Sequence, residues 1–182
     1  MRIKELKKEI EIPEGVDVKI DGKKLFVNGP KGENSRTFNY PKLEFSKQGN
    51  KIMLLGKNAT KKEKTMIGTY SAHIKNLFAG VKSGFDYRLK ICSGHFPMTV
   101  VVEKNKVMIN NFMGEKIPRR ARIFSGVDVK IEGESITVSG FDREKVGQTA
   151  ANIELATRRP GFDKRIFQDG CYIVSKSGKE LR

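Results

Sequence analysis

The octapeptide GVDVKIDG at residues 15–22 returns as GVDVKIEG at residues 126–133, 111 positions later, with Glu132 in place of Asp21 as the one exchange. In a chain of 182 residues, a period of this length implies two small related domains built on one plan. The repeat also says how each copy is built. Val16, Val18 and Ile20 alternate with polar residues, as do Val127, Val129 and Ile131. The run that follows alternates again, through Leu25 and Val27 in one copy and Ile136 and Val138 in the other. Two alternating runs joined by Asp-Gly or Glu-Gly read as a β-hairpin, because the tight turn needs a positive φ that glycine tolerates.

Further correspondences follow at shrinking distances. GTYSAHIKNL at 68–77 matches GQTAANIELA at 147–156, 79 positions on, and GFDYR at 84–88 matches GFDKR at 161–165, 77 positions on. Ile67, Tyr70, Ile74, Leu77 and Phe78 fall at helical spacing, as do Val146, Ala150, Ile153 and Ala156. Gly80 is placed to end the first helix and Asp142 to cap the second. The first copy therefore carries 32 extra residues between hairpin and helix, and residues 34–57 account for 24 of them. That segment (RTFNYP, KLEFS, KIMLLG) reads as added strands. Residues 91–115, with a turn at Lys104-Asn105, read as two more. The expected fold is α+β: two tandem duplicated domains, residues 1–85 and 86–182, each a mostly antiparallel sheet packed with one helix. Both copies are expected to share a strand–strand–helix–strand core.

Charge narrows the function. Lys and Arg number 36 against 21 Asp and Glu, a formal net charge of +15, which points to a polyanionic partner. No apolar run approaches the roughly 20 residues that a spanning helix needs, and no signal-peptide pattern opens the chain. The expectation is a soluble intracellular protein whose Cys92 and Cys171 are reduced thiols. Arginine is unevenly placed, with 3 in the first 91 residues and 8 in the last 91. Its flat fork of donors suits phosphate better than the point charge of lysine. KIPRRAR at 116–122 supplies Lys116, Arg119, Arg120 and Arg122, and Pro118 argues for an exposed connector there. RRPGFDKR at 158–165 supplies Arg158, Arg159, Lys164 and Arg165 in a loop marked by Pro160-Gly161. Two basic loops could converge on a phosphate backbone. KKEK at 61–64, at the start of the first helix, hints at a bound anion, although a solvated face explains it as well.

Enzyme readings find little to stand on. GxxxxGK[ST], HExxH, GxSxG and paired CxxC are all missing. Cys92 and His95 have the spacing of half a metal site, and Ser93, His95 and Asp86 can be drawn as a triad. A capping serine and a structural or RNA-facing histidine account for the same residues. No catalytic residue, metal or cofactor is therefore assigned. Aromatic residues make up 8%, and Phe26, Phe38 and Phe45 sit in apolar alternation as core. No RNA-recognition strand pattern occurs, so recognition of folded RNA through backbone and shape is expected over base stacking.

Five blocks occur in one order: IEIPEGVDV (10–18), NGPKG (28–32), HFPMTVVVE (95–103), NNFMGEK (110–116) and FQDGCYIVSK (167–176). In this order the chain resembles the large-subunit ribosomal protein family numbered six in bacteria and nine in eukaryotes, in its archaeal and eukaryotic branch. Cys171 departs from the aliphatic residue usual in D-G-x-Y, a tolerable change for a small hydrophobe. The resemblance implies two duplicated α+β domains and no catalysis. It implies a cytoplasmic place in the large ribosomal subunit, among neighbouring ribosomal proteins, with no membrane or small-molecule partner. It also implies that the second domain docks on large-subunit rRNA near the sarcin–ricin and translation-factor-binding region. Carried over by position, residues 116–122 and 158–176 would face RNA, which adds Lys176 to the eight cations above. A free-standing RNA- or DNA-binding protein is the alternative, and a small hydrolase using Ser93 and His95 a third.

Overall fold

The computed structural model describes residues 3–163 and 165–181. The chain divides into two compact units, Met1–Gly84 and Phe85–Arg182, each with its own apolar core.

The first unit contains β1 (Ile3–Glu11), β2 (Asp17–Asp21), β3 (Lys24–Gly29), β4 (Gly32–Thr37), β5 (Leu43–Gln48), β6 (Lys51–Ala59) and α1 (Lys61–Lys82). The strands form two antiparallel sheets, ordered β2-β3-β4 and β1-β6-β5. In the opening hairpin Asp21 pairs with Lys24, so Gly22 and Lys23 make the loop and Gly22 takes φ +54°. Alternation then buries Leu25 and Val27 completely, in one cluster with Ile67, Ile74 and Val81 of α1. The helix runs past Gly80, because Val81 still belongs to the core; it ends at Ser83, followed by Gly84 at φ +79°.

The start of α1 resolves the lysine-rich KKEK. Thr60 caps the helix, and Glu63 closes a capping box on the Thr60 backbone N–H at 2.9 Å. Tyr40 Oη donates to the same carboxylate at 2.9 Å, and Lys42 lies 3.6 Å away. Bonds from the Thr60 hydroxyl, the Thr60 amide and Tyr40 pull the Glu63 carboxyl down to about 2, against the upward push of burial. The anion that this helix end attracts is the chain's own side chain.

The second unit contains β7 (Phe85–Cys92), β8 (Thr99–Glu103), β9 (Lys106–Asn110), β10 (Arg119–Arg122), β11 (Val127–Glu132), β12 (Ser135–Gly140), α2 (Arg143–Ala156), β13 (Gly170–Lys176) and β14 (Lys179–Glu180). One sheet is ordered β11-β12-β7-β13-β14 and the other β8-β9-β10, again antiparallel throughout. Asp142 caps α2 through the amides of Glu144 and Lys145. Val146, Ala150 and Ile153 are fully buried, in one core with Leu89, Ile136 and Val138.

Three expectations change. The strand after α1 belongs to the second unit, where β7 pairs with both β12 and β13; strand–strand–helix–strand is therefore not the common core. The described residues of its supposed counterpart, 161–163 and 165, lie outside any strand, so GFDYR and GFDKR match in letters only. Finally, KIPRRAR is not all connector. Pro118 immediately precedes β10, where its missing N–H costs no ladder bond, and Arg119–Arg122 pair with β9.

Candidate nucleic-acid interface

A four-residue strand sorts its arginines by direction. Successive side chains in β10 point to opposite faces, and burial follows: Arg119 and Ala121 turn inward, Arg120 and Arg122 outward. Neither Arg120 nor exposed Lys116 has a side-chain partner among the described residues. Arg122 lies over the Phe124 ring, 5.4 Å from its centroid. Across the ladder Arg122 stands directly opposite Lys106. Like charges in that position oppose sheet formation, and Glu103, opposite Lys106 on its other side, offsets only part of this. Arg120, Arg122 and Lys106 thus form a cationic row on the outer face of the β8-β9-β10 sheet.

Arg119 has a different role. Its Nε and Nη2 donate to Glu115 at 2.7 and 2.6 Å, and its Nη1 donates to the carbonyls of Ala156 and Arg158 at 2.9 and 3.2 Å. The guanidinium also lies 4.3 Å from the centroid of the Phe112 ring. The Arg119 bonds hold the Glu115 carboxyl below its usual range, against desolvation. Arg119 therefore caps the C-terminal end of α2 with positive charge, where the helix dipole favours it. In doing so it ties the backbone at Ala156 and Arg158 to the middle of the KIPRRAR segment. The two basic segments do come together, but the residue that joins them spends its donors on the protein.

The remaining candidates differ in setting. Arg158 is exposed, and Arg159 is half-buried, lying 4.3 Å over Phe162 with Nη1 3.7 Å from Met113 Sδ. Arg165 is exposed and forms a fork with Asp163 at 2.7 Å, which lowers the Asp163 carboxyl; a surface pair of this kind is weak and can exchange partners. Lys164 lies outside the described residues. Lys176 sits at the far end of β13, six residues and about 20 Å from Gly170, apart from the others.

Composition and spacing do not reveal two features. Asp169, 6% exposed, accepts from the Gly94 amide at 2.7 Å and from the His95 amide and Nδ1 at 3.2–3.3 Å. Burial pushes its carboxyl up, yet these bonds outweigh burial and leave it lowered. His95 is thus engaged by a carboxylate that anchors its loop, and no group of three His, Cys, Asp or Glu that could hold a metal occurs among the described residues. Cys171 is fully buried and its thiol is pushed up to about 12, chiefly by desolvation. The second feature is a cleft of about 330 Å³ whose lining includes Met113, Leu155, Arg159, Phe162, Phe167 and Tyr172. Arg159 and Phe162, three apart in sequence, were the available signal for it.

Comparison with known proteins agrees with this architecture. The family model for ribosomal protein L6 matches residues 12–84 and 96–170, one match in each unit. "Large ribosomal subunit protein uL6" of Methanobrevibacter smithii is 47% identical over 171 residues, covering 94% of this chain and 96% of that protein. The protein of the same name from Sulfurisphaera tokodaii is 49% identical over 177 residues, 97% of this chain and 95% of its own length. That from Methanothrix thermoacetophila is 47% identical over 174 residues, 96% and 99%. The chain belongs to the ribosomal protein L6 family, a family of structural proteins without catalytic activity, and to its archaeal-type branch.

Proposed function

We propose that the chain is a structural component of the cytoplasmic large ribosomal subunit and that its second unit grips large-subunit rRNA near the sarcin–ricin and translation-factor-binding region. The observation that carries this reading is the cationic row Arg120, Arg122 and Lys106. Arg122 directly opposite Lys106 costs sheet stability and is relieved by a phosphate bridging the two. Arg158, and Arg165 after exchange from Asp163, add contacts, while Lys116 and Lys176 add diffuse charge. Lys164 belongs to the same proposal by sequence position. Arg119 supports the surface from beneath. Neighbouring ribosomal proteins complete the setting.

Chemical footprinting of large-subunit rRNA with and without the full chain tests the reading. Protection in the sarcin–ricin region, with co-sedimentation that survives high salt, is the expected result. Protection elsewhere would move the site. A chain that stays at the top of the gradient would mark a free-standing nucleic-acid binder instead.

A further inference from the structure

The cleft beside Arg159 combines features that a phosphate-gripping surface alone does not need. Four aromatic side chains line it: Phe162 and Phe167 meet edge to face with centroids 4.9 Å apart, and Phe112 and Tyr172 complete the set. Its rim is apolar and open to water, with Leu155 53% and Phe162 38% exposed. Met113, whose thioether faces Arg159, is held at φ +50° in the left-handed region, two residues after Asn111 at φ +56°. A non-glycine residue keeps such a backbone only where its surroundings impose it, and such positions cluster at ligand sites.

The acids at the cleft are already committed. Glu154 accepts from the Ile173 amide at 3.1 Å, and Asp169 holds Gly94 and His95. Asp169 is buried and Glu154 half-buried, whereas Arg158 is exposed and Arg159 lies over Phe162, so the charge that the rim offers to solvent is cationic. Flat apolar walls with cations at the edge fit a ligand that has a flat apolar face and a negative tether. The volume of about 330 Å³ lies within the range of small-ligand clefts, about 300–1,000 Å³. The Arg119 latch ties the backbone of Arg158, a residue of the cleft, to β10.

We infer that this cleft receives one unstacked nucleobase of the bound RNA. The base stacks against the Phe162–Phe167 corner, with Met113 as a polarisable neighbour, while its phosphates lie toward Arg158 and Arg159. The inference rests on the proposed rRNA contact of the second unit and adds a mode of recognition to it.

The test uses the full chain, deproteinised large-subunit rRNA and the variants Phe162→Ala, Phe162→Tyr and Arg120→Glu/Arg122→Glu. Affinity, its salt slope and nucleotide-resolved chemical reactivity are measured for each. Phe162→Ala is expected to weaken binding about 5- to 150-fold without changing the salt slope. It should also alter the reactivity of a single nucleotide, and Phe162→Tyr should restore both. The double reversal is expected to lower the salt slope by about two while that nucleotide remains affected in whatever complex forms. Unchanged affinity and reactivity in Phe162→Ala would overturn the base slot and leave the phosphate-gripping reading intact. If the unaltered chain shows no salt-dependent rRNA binding, the underlying reading fails first. A photoreactive residue at position 162 that couples to a ribosomal protein in the assembled subunit, rather than to RNA, would also overturn the slot.

Discussion

Arg119 and Arg120 are neighbours in sequence, share a charge and lie in the same strand, yet removing them should have separate consequences. Arg119→Ala strips Glu115 of a bidentate partner and leaves the carbonyls of Ala156 and Arg158 without their donor. A loss of about 1.5–3 kcal/mol in the stability of the second unit is expected. Lysine should not restore it, since an ammonium cannot form the fork or lie flat on Phe112. Arg120→Ala should leave stability within about 0.5 kcal/mol and weaken RNA binding instead. Urea unfolding of the three proteins, followed by a probe in the second unit, checks the first pair of expectations; an equal loss from both alanines would remove the distinction. Strand alternation is the physical cause, and it was hidden at the sequence level because Pro118 argued against a strand.

Helix α1 carries a pH dependence at its first turn. The folded-state carboxyl of Glu63 sits at about 2, below its ordinary value of 4.5. Its contribution is therefore complete above pH ~4.5 and disappears as pH falls toward 2. Amide exchange in the first turn of α1 should accelerate over that window, and Glu63→Gln should flatten the response. Thr60→Ala should cost about 1 kcal/mol at neutral pH.

The repeat predicts a second effect at this scale. Gly29 and Gly140 hold corresponding places at the ends of β3 and β12. A Cβ on Gly29 would lie 2.9 Å from Val81 Cγ2 and from the Val81 carbonyl, and one on Gly140 2.9 Å from Val146 Cγ2 and the Gly126 carbonyl. Alanine at either is expected to cost about 1–3 kcal/mol by overpacking the strand against its helix, measurable as a lower thermal midpoint. The hairpins and both helices were legible in the sequence because their signals are local: period two, a Gly turn, period 3.6. Strands β1 and β7 were assigned less well for the opposite reason. The β1 sequence IKELKKEIE is mostly charged, and its partners in β6 lie 40 to 56 residues away. The side of the boundary to which β7 belongs is decided by its ladders with β12 and β13, which no local pattern announces.

Across the molecule, charge is spread over both units while the organised arginines lie in the second. Reversing Arg120 and Arg122 together should lower the salt slope of rRNA binding by about two. The same reversal at Lys23 and Lys24 in the first hairpin should change it much less, and filter binding at several salt concentrations compares them. Equal slopes would mean that net charge alone governs association. Aromatic content illustrates why the site was only partly legible. An 8% share dispersed through the sequence argued against stacked bases, yet Phe112, Phe162, Phe167 and Tyr172 gather around one cleft. Asp169, which lines the same cleft, reaches back to Gly94 across a span of 75 residues.

That span also has a kinetic meaning. A contact between chain segments so distant carries a large loop-closure cost until β7 and β13 have already paired. The Asp169 tether should consequently form late in folding and release early in local opening. Newly made chains would then present a finished cationic sheet before a finished cleft, giving RNA a first handhold while its final fit is still being assembled.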